Sequence, residues 1–254
     1  MADILDFTNR TILVTGAASG IGAACAHLLA SCGAQRLVLV DRDEARLAAL
    51  DLPCETARIA GDVADPALWQ RMASALAGLD HAILNAGISA ASPILETEFE
   101  EWRRVMSVNL DGAFLSLQAS LRAMRDRGSI VLTASASGSK AEAGVAAYAS
   151  SKAGVIQLAR VAAKEAAPRG IRINAIAPGG VNTPMWDEMD FFAELLARHN
   201  GDREAALAAM AGAATPLGRF ASAADIARQI AFLLCDCASL ITGAVLVSDG
   251  GYSL

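Results

Sequence analysis

Tyr148 and Lys152 are the pair of side chains whose types and spacing point most directly to acid/base chemistry. Tyr148-Ala149-Ser150-Ser151-Lys152 opens an alanine-rich run that reads as a helix to about Ala167, and an i, i+4 spacing on a helix stacks phenol and ammonium on one face. A phenol has a reference pKa of about 10 and is a weak base near neutrality, whereas a cation fixed within ~4–6 Å favours the phenolate. Such a pair can pass a proton to or from a substrate oxygen. The same spacing is frequent on solvated helix faces, so its meaning depends on what the rest of the chain brings to it.

A second cluster has the chemistry of an anion cradle. The apolar run Thr11-Ile12-Leu13-Val14 breaks at Thr15-Gly16-Ala17-Ala18-Ser19-Gly20-Ile21-Gly22, and Ala23 to Cys32 then reads as a helix ending near Gly33. Glycines between a strand and a helix let the backbone approach a diphosphate, and the helix N-terminus offers unpaired N–H groups and the positive end of its dipole. Leu37 to Val40 is the next buried strand and Asp41 ends it, where a carboxylate accepts hydrogen bonds from the hydroxyls of an adenosine ribose. That carboxylate repels a 2′-phosphate and favours NAD over NADP; neighbouring Arg42 argues the other way, because a guanidinium can hold the phosphate.

Strands and helices alternate through the whole chain. Glu44 to Leu50 reads as helix, Thr56 to Ala60 as a strand ending in Gly61-Asp62-Val63, Ala64 to Ala77 as helix, and Asp80 to Leu84 as a strand ending in Asn85-Ala86-Gly87. Glu96 to Arg127 is mostly helical in two segments, with Asn109 inside an apolar pattern; Ser129 to Thr133 is a strand leading into Ala134-Ser135-Ala136-Ser137-Gly138. After the Tyr148 helix come the strand Ile171 to Ala175, the loop Pro178-Gly179-Gly180-Val181-Asn182-Thr183-Pro184, and an irregular stretch, 185–218, holding helices at Asp190 to His199 and Arg203 to Ala213. Ser222 is a candidate N-cap for a helix to Leu234, and Ala244 to Val247 closes the sheet. The alternation predicts one α/β domain over 1–254, a doubly wound parallel sheet of about seven strands flanked by helices, with 185–218 as an insertion. Every polar cluster above falls at a strand's carboxyl end, where such sheets bind ligands.

Composition narrows the function classes. With 54% hydrophobic and 19% charged residues the chain is globular, and a net charge of −6 without a run of Lys and Arg argues against a nucleic-acid surface. Met1-Ala2-Asp3-Ile4-Leu5-Asp6 places acids where a signal peptide carries bases, and no window of ~18 apolar residues suggests a membrane span. Cysteines 25, 32, 54, 235 and 237 contain no Cys-x-x-Cys and fit reduced thiols in a cytoplasm. His27, His81 and His199 have no ligand spacing relative to Cys235-Asp236-Cys237, so no metal is expected, and the two cysteines read as small buried residues near a helix end.

Taken together, Thr15-Gly-x-x-x-Gly-x-Gly22, Asp62, Asn85-Ala86-Gly87, Asn109, Ser135, Tyr148-x-x-x-Lys152, Pro178-Gly179 through Thr183, Ile241-Thr242-Gly243 and Asp249-Gly250-Gly251 resemble the short-chain dehydrogenase/reductase family over nearly the full chain. The resemblance implies a Rossmann-type sheet and a catalytic set of Asn109, Ser135, Tyr148 and Lys152. Tyr148 is then the general acid in ketone reduction and the general base in alcohol oxidation, Lys152 tunes it and holds the nicotinamide ribose, Ser135 bonds the substrate oxygen, and Asn109 holds a water that links Lys152 to solvent. The implied cofactor set is Gly16, Ser19, Gly20, Ile21, Gly22, Asp41, Arg42, Asp62 and Val63 at the adenosine and diphosphate, then Asn85, Ala86, Gly87, Tyr148, Lys152, Pro178 and Gly179, with Val181 and Thr183 at the carboxamide. Substrate contacts fall to Ser135, Ser137, Tyr148, Gly179 and Trp186, whereas Lys140 reads as a solvated loop residue.

The pattern departs from the family's commoner form in Ala134-Ser135, where two serines are frequent, and in the long 185–218 stretch, whose Asp187, Glu188, Asp190 and Glu194 make an acidic lid. The expected activity is NAD-dependent hydride transfer between nicotinamide and a small secondary alcohol or ketone of polyol or hydroxy-ketone type. The alternatives are an NADPH-dependent 3-oxoacyl-[acyl-carrier-protein] reductase and a non-catalytic nucleotide sensor. The resemblance also implies a homotetramer packed through helices around 106–124 and 148–167.

Overall fold

The computed structural model describes residues 5–254; Met1 to Ile4 and the side chains of Glu188 and Asp190 lie outside the described residues, and with them part of the leader reading and of the acidic lid. Seven strands form one parallel sheet in the order β3-β2-β1-β4-β5-β6-β9: β1 (Thr11–Thr15), β2 (Arg36–Asp41), β3 (Glu55–Ala60), β4 (Leu79–Leu84), β5 (Met124–Thr133), β6 (Arg172–Pro178) and β9 (Val245–Ser248). A separate two-stranded pair joins β7 (Val181–Asn182) to β8 (Ala221–Ser222). The helices are α1 (Gly20–Ser31), α2 (Glu44–Ala48), α3 (Pro66–Arg71), α4 (Phe99–Met106), α5 (Gly112–Ala123), α6 (Ala146–Ala166), α7 (Asp190–Arg198), α8 (Arg203–Ala214) and α9 (Ala223–Leu234). This is the Rossmann-type, doubly wound single domain that the alternation predicts.

The central strands are apolar on both faces because helices cover both. Leu13, Val38 and Leu84 point into one core with Leu117 of α5 and Val155 of α6; Ile12, Val14 and Leu37 point into the other with Leu29 of α1 and Ile230 of α9. The period of two along β1 divides its residues between these cores. Strand order reverses between β1 and β4, so the connections leave on opposite faces and a crevice opens between the carboxyl ends. Asn174 of β6 secures the last strand, donating to the Ile241 carbonyl at 2.8 Å and accepting from the Ala244 N–H at 3.0 Å.

Ser222 caps α9 as expected: its hydroxyl accepts from the Asp225 N–H at 3.1 Å while the Asp225 carboxylate accepts from the Ser222 N–H at 2.9 Å, a reciprocal capping box. Two predicted helices are shorter than read. α3 ends at Arg71 and irregular turns continue to Gly78; there the Arg36 guanidinium takes the Ala75 carbonyl at 3.0 Å, away from any helical partner. The helix expected to run to Arg127 ends at Ala123, because Arg169 takes the Leu121 and Met124 carbonyls at 2.7 and 2.5 Å and Met124 turns extended to begin β5. Cys235 is buried at the end of α9 but Cys237 is exposed, which corrects the reading of both as buried; no disulfide joins any of the five cysteines.

His81 of β4 is 7% exposed beneath Phe7, whose ring meets it edge-on at 5.6 Å. Ser129 donates to the Leu234 carbonyl at 2.9 Å, so its oxygen accepts from the His81 Nδ1–H at 2.8 Å and fixes the neutral tautomer. Burial, reinforced by the Arg10 charge, pushes the His81 pKa down to about 4. The unfolded chain binds a proton near pH 6.5 and the folded chain only near 4, so stability is complete above 6.5 and falls through that window by up to about 3 kcal/mol. Denaturant unfolding between pH 7 and 4 is expected to show this decline, and His81→Gln to flatten it; an unchanged slope in the variant would assign the acid sensitivity elsewhere.

Candidate active site

Close backbone approach shapes the cradle after β1. Gly16 has φ +65°, and a Cβ there would lie 2.9 Å from the Ala86 Cα; a Cβ on Gly22 would stand 1.9 Å from the Gly16 carbonyl oxygen. Neither position admits a side chain. Thr15 stitches the ends of β1 and β4 together, its hydroxyl accepting from the N–H groups of Asn85 and Ala86 at 2.9 and 3.1 Å. The Asn85 amide donates back to the Thr15 and Gly16 carbonyls at 3.3 and 3.4 Å.

Ser19 begins α1 without a side-chain cap, which leaves the first-turn N–H groups facing the glycine loop. Asp41 props that loop from the next strand, its Oδ2 accepting from the Ala18 N–H at 2.9 Å and its Oδ1 from the Asp43 N–H at 3.0 Å. A carboxylate oxygen so used retains acceptor capacity for a hydroxyl. Arg42 is exposed at the same rim.

The proton-transfer candidates converge from three elements. Ser135 leaves β5, and its hydroxyl accepts from the Ser137 N–H at 3.2 Å and lies within hydrogen-bonding reach of the Tyr148 hydroxyl. Tyr148 and Lys152 lie in the first two turns of α6, with the Lys152 Nζ 5.7 Å from the phenol centroid. The cation does not dominate the phenol: burial pushes the Tyr148 pKa up, and the Ser135 hydrogen bond opposes it. Lys152 is 4% exposed, donates to the Thr133 carbonyl at 2.9 Å, and has its pKa pushed down to about 8 by burial.

Asn109 sits behind this group in a π-helical turn, Ser107–Asp111, between α4 and α5. Its Oδ1 accepts from the Ile88 N–H at 2.8 Å, and its Nδ2 donates to the Ile88 carbonyl and the Ser151 hydroxyl at 2.9 and 3.0 Å. Both Nδ2 hydrogens of the amide are therefore engaged by protein groups. The Ser151 hydroxyl in turn donates a hydrogen bond to the Tyr148 carbonyl at 2.7 Å. A Cβ at Gly87 would come within 3.1 Å of the Lys152 Nζ and 3.2 Å of the Asn109 Oδ1, so the absence of a side chain there makes room for both.

One cavity of about 810 Å³ connects these parts, running from Asp41, Asp62 and Val63 past Gly87 to Ser135 and Tyr148. The proposed site residues line it except Gly22 and Asn109, which stand behind its wall. Met185, Trp186, Met189 and Met210 of the 185–218 segment line it as well, with Phe220 just beyond that segment. Trp186 lines the cavity and anchors the segment: its indole N–H donates to the Val181 carbonyl at 2.7 Å and its ring stacks on Phe220 at 5.7 Å. Arg203 of α8 ties the segment to the cofactor-side loop, donating to the Thr183 carbonyl at 2.8 Å, to the Asn182 side chain, and to Asp187 at 3.1 Å.

Five contributors are given no role by the sequence reading. Thr133, Ser151 and Thr15 act through a carbonyl or a hydroxyl whose partner is remote in the chain, and Glu142 and Tyr252 reach the cavity from a loop and the chain end. Lys140 is not a solvated loop residue; its Nζ donates to the Tyr252 carbonyl at 2.5 Å and lies 3.6 Å from that ring's centroid. Among the described residues no group of three or more His, Cys, Asp or Glu side chains is placed to hold a metal ion.

Residues 16–253 match a family model described as enoyl-(acyl carrier protein) reductase, adh_short_C2. A cis-4-hydroxycyclohexanecarboxylate dehydrogenase of Sinomonas cyclohexanicum is 39% identical over 97% of this chain and 98% of its own. The solved structure of levodione reductase superposes with a TM-score of 0.85 at 35% identity, covering 97% of this chain and 98% of that one. L-sorbose reductase of Gluconobacter frateurii, solved with NADPH and L-sorbose, gives a TM-score of 0.90 at 27% identity over 98% of each chain.

Proposed function

The chain belongs to the short-chain dehydrogenase/reductase family, an oxidoreductase family acting on CH–OH groups with NAD(P), and from that premise we propose that it is an NAD-dependent dehydrogenase of small secondary alcohols, cyclic or polyol, and of the matching ketones. The observation that carries this reading is that Ser135, Tyr148 and Lys152 open onto the same cavity as the glycine cradle and Asp41. The donor set fits a dinucleotide, since Gly16 and Gly22 leave no Cβ in the cradle, α1 presents uncapped N–H groups and Asp41 keeps acceptor capacity toward ribose hydroxyls. When bound, that cofactor exchanges the hydride and, oxidised, adds a positive charge beside the phenol.

Ser135 holds the substrate oxygen and Tyr148 passes it a proton or removes one. Burial pushes the Tyr148 pKa up and so favours the phenol, the form needed to protonate a forming alkoxide. In the oxidative direction the Lys152 ammonium favours the phenolate, and the Thr133 carbonyl keeps that ammonium in place. Asn109 and Ser151 hold the 86–88 turn against α6, so the phenol keeps one position. The 185–218 segment serves as a lid, and its Arg203 bonds link lid position to Thr183.

Among the described residues no helix is long and apolar enough to cross a membrane, and the five cysteines without a disulfide support a cytoplasmic setting. Phe114 of α5 and Val161 of α6 remain 48% and 45% exposed, large apolar side chains on the helices proposed to meet in a homotetramer.

Tyr148→Phe is expected to lower turnover by roughly 10²- to 10⁴-fold while cofactor binding, read by NADH fluorescence, persists; full activity in the variant would remove Tyr148 from the chemistry. On a turned-over alcohol, NAD is expected to exceed NADP in kcat/KM, and Asp41→Ser to shift that ratio toward NADP by more than about tenfold. A wild-type preference for NADP would instead favour the Arg42 reading and reopen the 3-oxoacyl reductase alternative. Light scattering of the purified protein is expected to give four times the chain mass, and a monomer would reject the assembly.

A further inference from the structure

The substrate end of the cavity has a second polar pole, made by residues far apart in the chain. Tyr252 lies in the C-terminal tail, where Asp249 folds the chain back on itself: its carboxylate accepts from the N–H groups of Gly251 and Ser253 at 2.9 and 2.8 Å and from the Ser253 hydroxyl at 2.5 Å. The Leu217 N–H donates to the Gly250 carbonyl at 3.1 Å, and a Cβ on Gly251 would stand 2.8 Å from Pro216, so the tail is seated against the foot of the 185–218 segment. From this fixed base the Tyr252 hydroxyl donates to the Glu142 Oε2 at 2.5 Å, across to the loop between β5 and α6.

Two charges stand at this pole: Glu142, which makes no ion pair among the described residues, and Lys140, whose ammonium is held on the Tyr252 carbonyl at 2.5 Å and over its ring at 3.6 Å rather than on the carboxylate. Glu142 Oε1 has no described partner, and the residue is exposed at the cavity wall. Tyr252 spends its proton on Oε2 and so orients the carboxylate. The lid lines the same cavity mainly with apolar side chains, among them Met185, Met189, Phe191 and Met210.

We propose that Glu142, oriented by Tyr252, is the specificity determinant of this site, and that it accepts a hydrogen bond from a second hydroxyl on the substrate, carried by the carbon body away from the reacting alcohol. The preferred substrate class is therefore a diol or hydroxy-ketone, and a molecule with a carboxylate or phosphate at the far end is disfavoured. The chemistry is asymmetric: a hydroxyl can take the place of solvent at the oriented Oε1, whereas an anion adds like charge beside it. This rests on the dehydrogenase reading above.

Three probes on one ring separate the possibilities: cyclohexanol, 1,4-cyclohexanediol and 4-hydroxycyclohexanecarboxylate, each followed by NADH formation in the full-length enzyme. Wild type is expected to favour the diol over cyclohexanol in kcat/KM by roughly 10- to 100-fold, the range for a hydrogen bond to a charged acceptor, and to rank the carboxylate last. Glu142→Ala should collapse the diol-to-cyclohexanol ratio to near one. Glu142→Gln keeps an acceptor without the charge, so it should retain much of the diol preference while raising the relative rate with the carboxylate. Tyr252→Phe should weaken the diol ratio without reversing it. NADH binding to each variant reports that the fold and cofactor site are intact. Turnover of all three probes with a ratio near one, or with a ratio that Glu142→Ala leaves unchanged, overturns the proposal alone. Retained NADH binding without oxidation of any probe by wild type overturns the dehydrogenase reading and this proposal with it.

Discussion

A buried ammonium is the constraint around which the site is built. Lys152 is 4% exposed and its pKa falls to about 8, a shift equivalent to about 3 kcal/mol. The unfolded chain binds the proton up to about pH 10.5, so stability is lower while the charge is carried below about pH 8 and recovers as pH rises through that window. The surroundings limit that penalty. The Thr133 carbonyl accepts from the ammonium, Gly87 withholds a Cβ, and Asn109 keeps its amide turned to Ile88 and Ser151. A side chain at Gly87 or an apolar one at Asn109 would press on or unpair this group and move the charge relative to the Tyr148 ring.

That local requirement depends on sheet topology. Thr133 ends β5, Gly87 follows β4, and the glycine cradle follows β1, three adjacent strands whose carboxyl ends share one edge of the crevice. Thr15 and Asn85 fix the spacing of β1 and β4 through bonds to each other's backbone, so the cradle and the Lys152 pocket keep a constant separation. The two cores behind the sheet make those ends rigid, because a slip of one residue in β1 would exchange Ile12 and Val14 with Leu13 between faces.

Legibility in the sequence follows the range of the interactions. The strands are readable because Val, Ile and Leu runs in a sheet covered on both faces need no partner to be recognised, and the Ser222 cap is readable because it spans one turn. The cradle and the Tyr148 helix were readable for the same reason, as short motifs with local geometry. What was missed acts at a distance. The end of α5 is met by Arg169 and the turns after α3 by Arg36, whose guanidinium groups reach carbonyls from other elements, and no periodicity within either helix reports them. Trp186 was read as a possible substrate platform, and one of its ring faces is taken by Phe220. Lys140 looked solvated because its partner, Tyr252, stands at the other end of the chain.

The same division separates reaction from substrate. Ser135, Tyr148, Lys152 and the cradle sit on strand ends and the first turns of helices, positions whose backbone is fixed by the sheet, so the geometry of the proposed proton-transfer group is insulated from changes elsewhere. The far end of the cavity is assembled from the loop after β5, the 185–218 segment and the C-terminal tail, joined by a few side-chain bonds such as Tyr252 to Glu142 and Arg203 to Thr183. Such joints can be altered without disturbing either core, which is the physical reason that one catalytic arrangement can be fitted to different alcohols. Arg203 belongs to both halves: it spans the lid and the loop at Thr183, so substitutions that reshape the lid also load the cofactor side and are limited by it.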